Sequence, residues 1–153
     1  DHRDLHYPLR RQRQMCIRDR VSAAETNQIS NTTLLLFLSC WLWIVAYDTA
    51  YALCDMRDDL VLGINSSAIT FGKNVVVFFL LLHLFSILLL IQVAISLNFH
   101  FIFYFFVLIS VLLIFYQTYL IKDFDSVLCL KAFKNNNWLG LSIFIGSILG
   151  VSL

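Results

Sequence analysis

Four aspartates fall within the stretch "YDTAYALCDMRDD", residues 47–59: Asp48, Asp55, Asp58 and Asp59. An α-helix turns by about 100° per residue, so steps of seven and eleven nearly close whole turns. On a continuous helix, Asp48, Asp55 and Asp59 therefore share one face to within about 40°, with Tyr51 and Ala52 flanking it, while Asp58 points to the side. Asp55 and Asp59 stand at i and i+4, where like charges destabilise a helix that offers them no partner. Asp48 lies within an apolar run, where an acid is costlier and marks a protein interior or an aqueous cavity. A divalent cation is the natural compensation. Oxygen-only donors favour Mg²⁺ or Ca²⁺ over zinc. Mg²⁺ takes one or two carboxylates and shares its other positions with water and substrate phosphates. The stripe thus predicts a phosphate-bearing substrate held through Mg²⁺.

The elements that must position this stripe are apolar. Of the 153 residues 59% are hydrophobic and 14% are charged, against about 25% charged in soluble domains. The runs are unbroken, as in an integral membrane protein. Four segments read as helices, at about 32–53, 74–97, 99–121 and 138–153. A spanning helix needs about 20 residues, a length that the first three meet and the fourth approaches. The expected class is all-α, a polytopic transmembrane helical bundle.

The connections give direction. Residues 54–73 and 122–137 are long and charged, whereas "LNFH" at 97–100 is minimal. Alternating spans put both long connections on one side. They hold Arg57, Lys73, Lys122, Lys131 and Lys134, the Lys and Arg found after residue 20. By the positive-inside tendency that side is cytoplasmic. The other six arginines lie at residues 3–20, one span away on the opposite side. "RRQRQMCIRDR" resembles translated adapter sequence, and residues 1–21 are expected to be a non-native tail, set aside from the fold. With a net charge of +1, nothing marks a nucleic-acid partner. Cys16, Cys40, Cys54 and Cys129 form no CxxC pair or Cys/His cluster, so neither a disulfide framework nor a zinc site is indicated. His83 and His100 have no partner at ligand spacing, and His83 reads as a packing histidine. Gly63 suits a helix stop. Asn137 is placed to cap the final helix, with Trp138 at the membrane interface.

"YDTAYALCDMRDDLVLGINSSAITFGK", 47–73, resembles the second aspartate-rich motif of the UbiA superfamily of intramembrane prenyltransferases, within it the 4-hydroxybenzoate polyprenyltransferase branch. "CLKAFKNNNWLGL", 129–141, is similar to the stretch before the last helix of the same enzymes. The resemblance covers residues 28–153 and implies the last four helices of a nine-helix fold. The first motif, NDxxDxxxD, does not occur here, so an N-terminal half carrying it is the implied partner, and residues 22–153 would be the C-terminal half of the domain. The implied reaction transfers a polyprenyl group from polyprenyl diphosphate to the ring of 4-hydroxybenzoate in ubiquinone synthesis, at a bacterial inner membrane. Asp55 and Asp59 match the family's DxxxD and would hold one Mg²⁺. Asp48 would orient a ligand, assist deprotonation or contact the acceptor. Arg57 and Lys73 would touch the diphosphate or anchor the helix ends. Within the superfamily the acceptor could instead be haem, a naphthoate, a tocopherol precursor or a chlorin. Outside it, a cation channel or transporter would place carboxylates deep in a second span, and the second and third segments contain none.

Overall fold

The computed structural model describes residues 30–63 and 65–152; the expectation of a non-native tail at 1–21 lies outside them. The described chain is helical: α1 (Asn31–Cys54), α2 (Met56–Leu62), α3 (Ser67–Phe71), a 3₁₀ turn (Gly72–Asn74), α4 (Val75–Ser96), α5 (Ile102–Ile121) and α6 (Ser126–Ser152). Three stretches are long and apolar enough to cross a membrane, Asn31–Cys54, Ser67–Ser96 and Ile102–Ile121. The protein is a multi-pass membrane protein built as a helical bundle.

The three spanning stretches are apolar over most of their surface, which suits burial in lipid rather than one face on an aqueous core. Leu34, Leu38, Trp41, Phe85, Leu88, Phe105 and Leu112 point outward. In water such a surface would be a liability; in a bilayer it is the solvated face. The polar side chains are turned inward instead, with Ser39, Thr49, His83, Ser86, Ser110, Gln117 and Ser142 buried. Buried serines join helices where lipid provides no hydrophobic drive. Ser39 of α1 and Ser86 of α4 exchange bonds: each hydroxyl donates to the other's backbone carbonyl at 2.8 Å.

Successive long helices run antiparallel. α1 packs on α4 and α6, and α5 packs on α4 and α6. The charged connections therefore meet at one end of the bundle. There Ala50, Leu53, Ala68, Val75, Phe79, Leu120, Ile121, Cys129 and Ala132 form one apolar cluster. A second cluster, further along the bundle, contains Ile87, Ala94, Phe103, Val107, Ile114, Leu139 and Ile143. At the far end the His100 amide donates to the Gly150 carbonyl at 3.0 Å, closing α6 onto the start of α5.

Two expectations are corrected. The helix through 47–59 is not continuous: it bends at Asp55, whose φ −98°, ψ 4° leaves the helical well, so α1 ends at Cys54 and α2 begins at Met56. The Asp59 amide still reaches the Asp55 carbonyl at 2.9 Å, so the two segments stay hydrogen-bonded across the bend. The last helix starts at Ser126, far before residue 138. Asn137 is thus mid-helix and caps nothing. Asp125 does so in its place, its Oδ1 accepting from the amides of Val127 at 3.0 Å and Leu128 at 2.9 Å. Gly63 is the left-handed stop of α2, with φ 68° and its amide donating to the Asp59 carbonyl, a conformation that glycine adopts without a Cβ penalty.

Candidate active site at the charged end of the bundle

The acids sit on three consecutive pieces of backbone. Asp48 is on α1 and exposed, Asp55 is at the bend and half-buried, and Asp58 and Asp59 are in the first turn of α2, Asp59 half-buried and Asp58 exposed. A helix N-terminus carries partial positive charge, so the short α2 gains from both acids. The bend changes the predicted stripe. Among the described residues no group of three or more His, Cys, Asp or Glu is close enough to hold a metal, so Asp48, Asp55 and Asp59 do not form one cluster. Asp55 and Asp59 remain tied through the Asp59 amide. Among the described residues no Lys or Arg pairs with Asp55, Asp58 or Asp59. Arg57, on α2, and Lys73, in the 3₁₀ turn, are exposed at the same end of the bundle.

This pair suits Mg²⁺. Its donors are oxygens alone, among the described residues no cationic side chain pairs with it, and two carboxylates leave coordination positions for water and phosphate.

The structure adds residues to which the spacing gave no role. Trp43, Tyr47 and Tyr51 recur every fourth residue of α1 and form a stripe that leads to Asp55. The Tyr51 hydroxyl lies beside the Asp55 carboxylate, one turn on. Its ring packs on Phe133 of α6 at 5.3 Å, and Tyr47 packs on the same ring at 6.0 Å. Deeper along the contact, Trp43 Nε1 donates to Asn136 Oδ1 at 2.8 Å. The early turns of α6 therefore clamp the side of α1 that leads to the bend, and the two segments singled out in the sequence, 47–73 and 129–141, meet there. The period of four in α1 was legible. Its partner was not, because 129–137 reads as a polar connection until Asp125 is seen to start a helix.

The Trp43–Asn136 bond gives a first prediction. Asn136→Leu leaves the indole N–H without an acceptor inside the bundle and is expected to cost about 0.6–2 kcal/mol. Thermal unfolding in detergent measures it. In a double-mutant cycle Trp43→Phe should cost less in the Asn136→Leu background than in the parent, the difference being the energy of the bond and the remainder the indole's packing; fully additive losses would show that the bond carries no energy.

A sequence profile of the UbiA prenyltransferase family matches residues 21–148. The chain belongs to the UbiA prenyltransferase family. The 4-hydroxybenzoate octaprenyltransferase of Tolumonas auensis is 40% identical over 126 residues, 82% of this chain and 44% of that protein. Those of Marinobacter nauticus and Nitrosospira multiformis are also 40% identical, over 85% and 83% of this chain and 44% of each relative. The chain thus spans less than half the length of these curated relatives. No solved structure matches it significantly. The UbiA chain places its two motif segments, each a minority of its length, against one another at the end of the bundle that carries its charged connections.

Proposed function

We propose that this chain forms part of the site of a Mg²⁺-dependent prenyltransferase that moves a polyprenyl group from its diphosphate to the ring of 4-hydroxybenzoate, a step of ubiquinone synthesis. The observation that carries the reading is the half-buried Asp55–Asp59 pair, linked through backbone and lacking a cationic partner among the described residues, in a chain of the UbiA family. The names of the relatives support the acceptor and the prenyl donor. Because the chain spans 44% of those relatives' length, the proposal concerns it joined to the remaining part, which would bring the first aspartate-rich motif. The charged end would face the cytoplasm of a bacterial cell, across the inner membrane.

Asp55 and Asp59 would hold the ion. When bound, Mg²⁺ supplies neutralisation of the negative charge that develops on the departing diphosphate. Arg57 and Lys73, exposed at the same end, would approach the phosphate oxygens. Tyr51 would hold the Asp55 carboxylate, and Phe133 would hold Tyr51. Asp48 lies seven residues before Asp55, about 10 Å deeper along α1. There it would meet the acceptor side, orienting the phenol or accepting the ring proton after the new C–C bond forms.

The test is a product assay. The full-length protein in nanodiscs, given polyprenyl diphosphate, 4-hydroxybenzoate and Mg²⁺, is expected to yield ring-prenylated 4-hydroxybenzoate by mass spectrometry, and chelation with EDTA is expected to abolish the yield. Product formation only with a different aromatic acceptor would overturn the acceptor. Undiminished product after chelation would overturn the metal.

A further inference from the structure

The two apolar clusters of the bundle are separated by a layer of other chemistry. On α4, His83 lies between Phe79 of the first cluster and Ile87 of the second. On α5, Gln117 lies between Ile121 of the first and Ile114 of the second. On α6, Asn135 lies between Ala132 of the first and Leu139 of the second. Each is one helical turn, three or four residues, from its neighbours in both clusters, so all three stand at one level of the antiparallel bundle. Trp43 of α1, which packs against the second cluster, reaches the same level through its bond to Asn136.

These three side chains share a second property. His83 Nε2, Gln117 Nε2 and Asn135 Nδ2 are each shut off from solvent and have no protein hydrogen-bond partner. His83 and Gln117 are both 1% exposed. An unmade bond at such a depth is costly, and native structures rarely leave one. Three at one level, on three different helices, call for a shared partner.

The chemistry of that partner is restricted. His83 Nδ1 lies 3.2 Å from the Phe79 carbonyl. A carbonyl only accepts, so Nδ1 carries the hydrogen and Nε2 presents a lone pair. Gln117 and Asn135 present amide N–H donors. The occupant must therefore both donate and accept. A carboxylate cannot donate, an ammonium cannot accept, and either charge would be expensive at this depth. The occupant must also be small. His83 and Gln117 are already enclosed by this chain's own residues, so a side chain from another segment cannot reach them without opening the bundle. Water meets both conditions, and a buried water typically takes about three hydrogen bonds.

We propose that His83, Gln117 and Asn135 form a buried water-binding site that joins α4, α5 and α6 between the two apolar clusters. The site is separate from the carboxylates and does not depend on the proposed reaction. It accounts for His83 and Gln117 on two apolar helices, and it fixes the register of α4, α5 and α6 at one level, which apolar packing alone does weakly.

Solid-state NMR of the protein, ¹⁵N-labelled at histidine and held in lipid nanodiscs, tests it. The signal of His83, assigned by its loss in His83→Phe, is expected to show a neutral, Nδ1-protonated ring whose Nε2 receives magnetisation from water. Gln117→Met and Asn135→Leu are each expected to remove most of that transfer, since each deletes one of the groups that hold the water. An Nε2 with no water contact in the unsubstituted protein overturns the proposal, whether or not any variant folds. Transfer that persists at full strength in both variants also overturns it, because the water would then belong to His83 alone.

Discussion

In the full-length protein, Asp55→Asn and Asp59→Asn are each expected to lower turnover by about a hundredfold or more, the scale seen when one group that stabilises a developing charge is removed. A hundredfold corresponds to about 2.7 kcal/mol of transition-state stabilisation. The fold should not suffer. Asn keeps the shape of Asp, both positions are only half-buried, and among the described residues neither carboxylate has an ion-pair partner to lose. Removing one of two like charges at i and i+4 relieves about 0.2–0.5 kcal/mol of repulsion, which in Asp59→Asn is offset by the lost attraction to the N-terminus of α2. The expected pattern is lost turnover with a melting temperature close to the parent's. Asp58→Asn is the control, because its side chain is exposed where those of Asp55 and Asp59 are half-buried; its turnover should stay within about tenfold of the parent, the modest loss of a screened surface charge. Near-normal turnover in both Asp55→Asn and Asp59→Asn would end the assignment of a cation to this pair, and a collapse in stability would mean that the carboxylates are structural.

What the sequence made legible follows from which signals are one-dimensional. Apolar runs identify α1, α4 and α5 because a lipid-facing helix must be apolar on all sides, and no tertiary partner is needed to read that. The stop at Gly63 was legible for a similar reason: a left-handed residue has few candidates other than glycine. The bend at Asp55 was not, because an isolated spacing argument assumes one helix axis. A departure of about 35° in φ and about 46° in ψ from helical values at one residue breaks the single axis that the spacing argument assumed, while Asp55 and Asp59 stay linked through backbone. The early turns of α6 were not legible either. "KAFKNNN" is polar and reads as a connection; it folds as helix because Asp125 supplies the missing acceptor at its start and because Phe133 and Asn136 find partners on α1. Those partners are more than eighty positions away in the chain, a distance that no local pattern bridges. The polar layer of His83, Gln117 and Asn135 is the same kind of case. His83 and Gln117 each look like an isolated exception within an apolar helix, Asn135 is one of a polar run, and only the antiparallel register brings the three to one level.

The tightest contact at a glycine among the described residues supplies the prediction with the largest effect on stability. At Gly146 of α6, an added Cβ would stand 2.6 Å from Phe106 Cβ of α5, too near for two carbons to coexist. Small residues let membrane helices approach in this way, and here the approach carries a bond: the Ser142 hydroxyl, one turn earlier on α6, donates to the Phe106 carbonyl at 3.0 Å. Gly146→Ala must push α6 off α5 and stretch that bond. Overpacking of this kind costs about 1–3 kcal/mol, which for a chain of this size is a fall of roughly 3–10 °C in melting temperature. Gly140 is on the same helix, and an added Cβ there would have nothing within 4 Å. Gly140→Ala should therefore be neutral or stabilising by up to about 1 kcal/mol, since alanine is the better helix former. Phe106→Ala should not rescue Gly146→Ala, because alanine keeps the Cβ that makes the clash. A full rescue by Phe106→Ala would place the conflict in the aromatic ring, and equal effects at Gly140 and Gly146 would show that the helices are not held at the separation seen here.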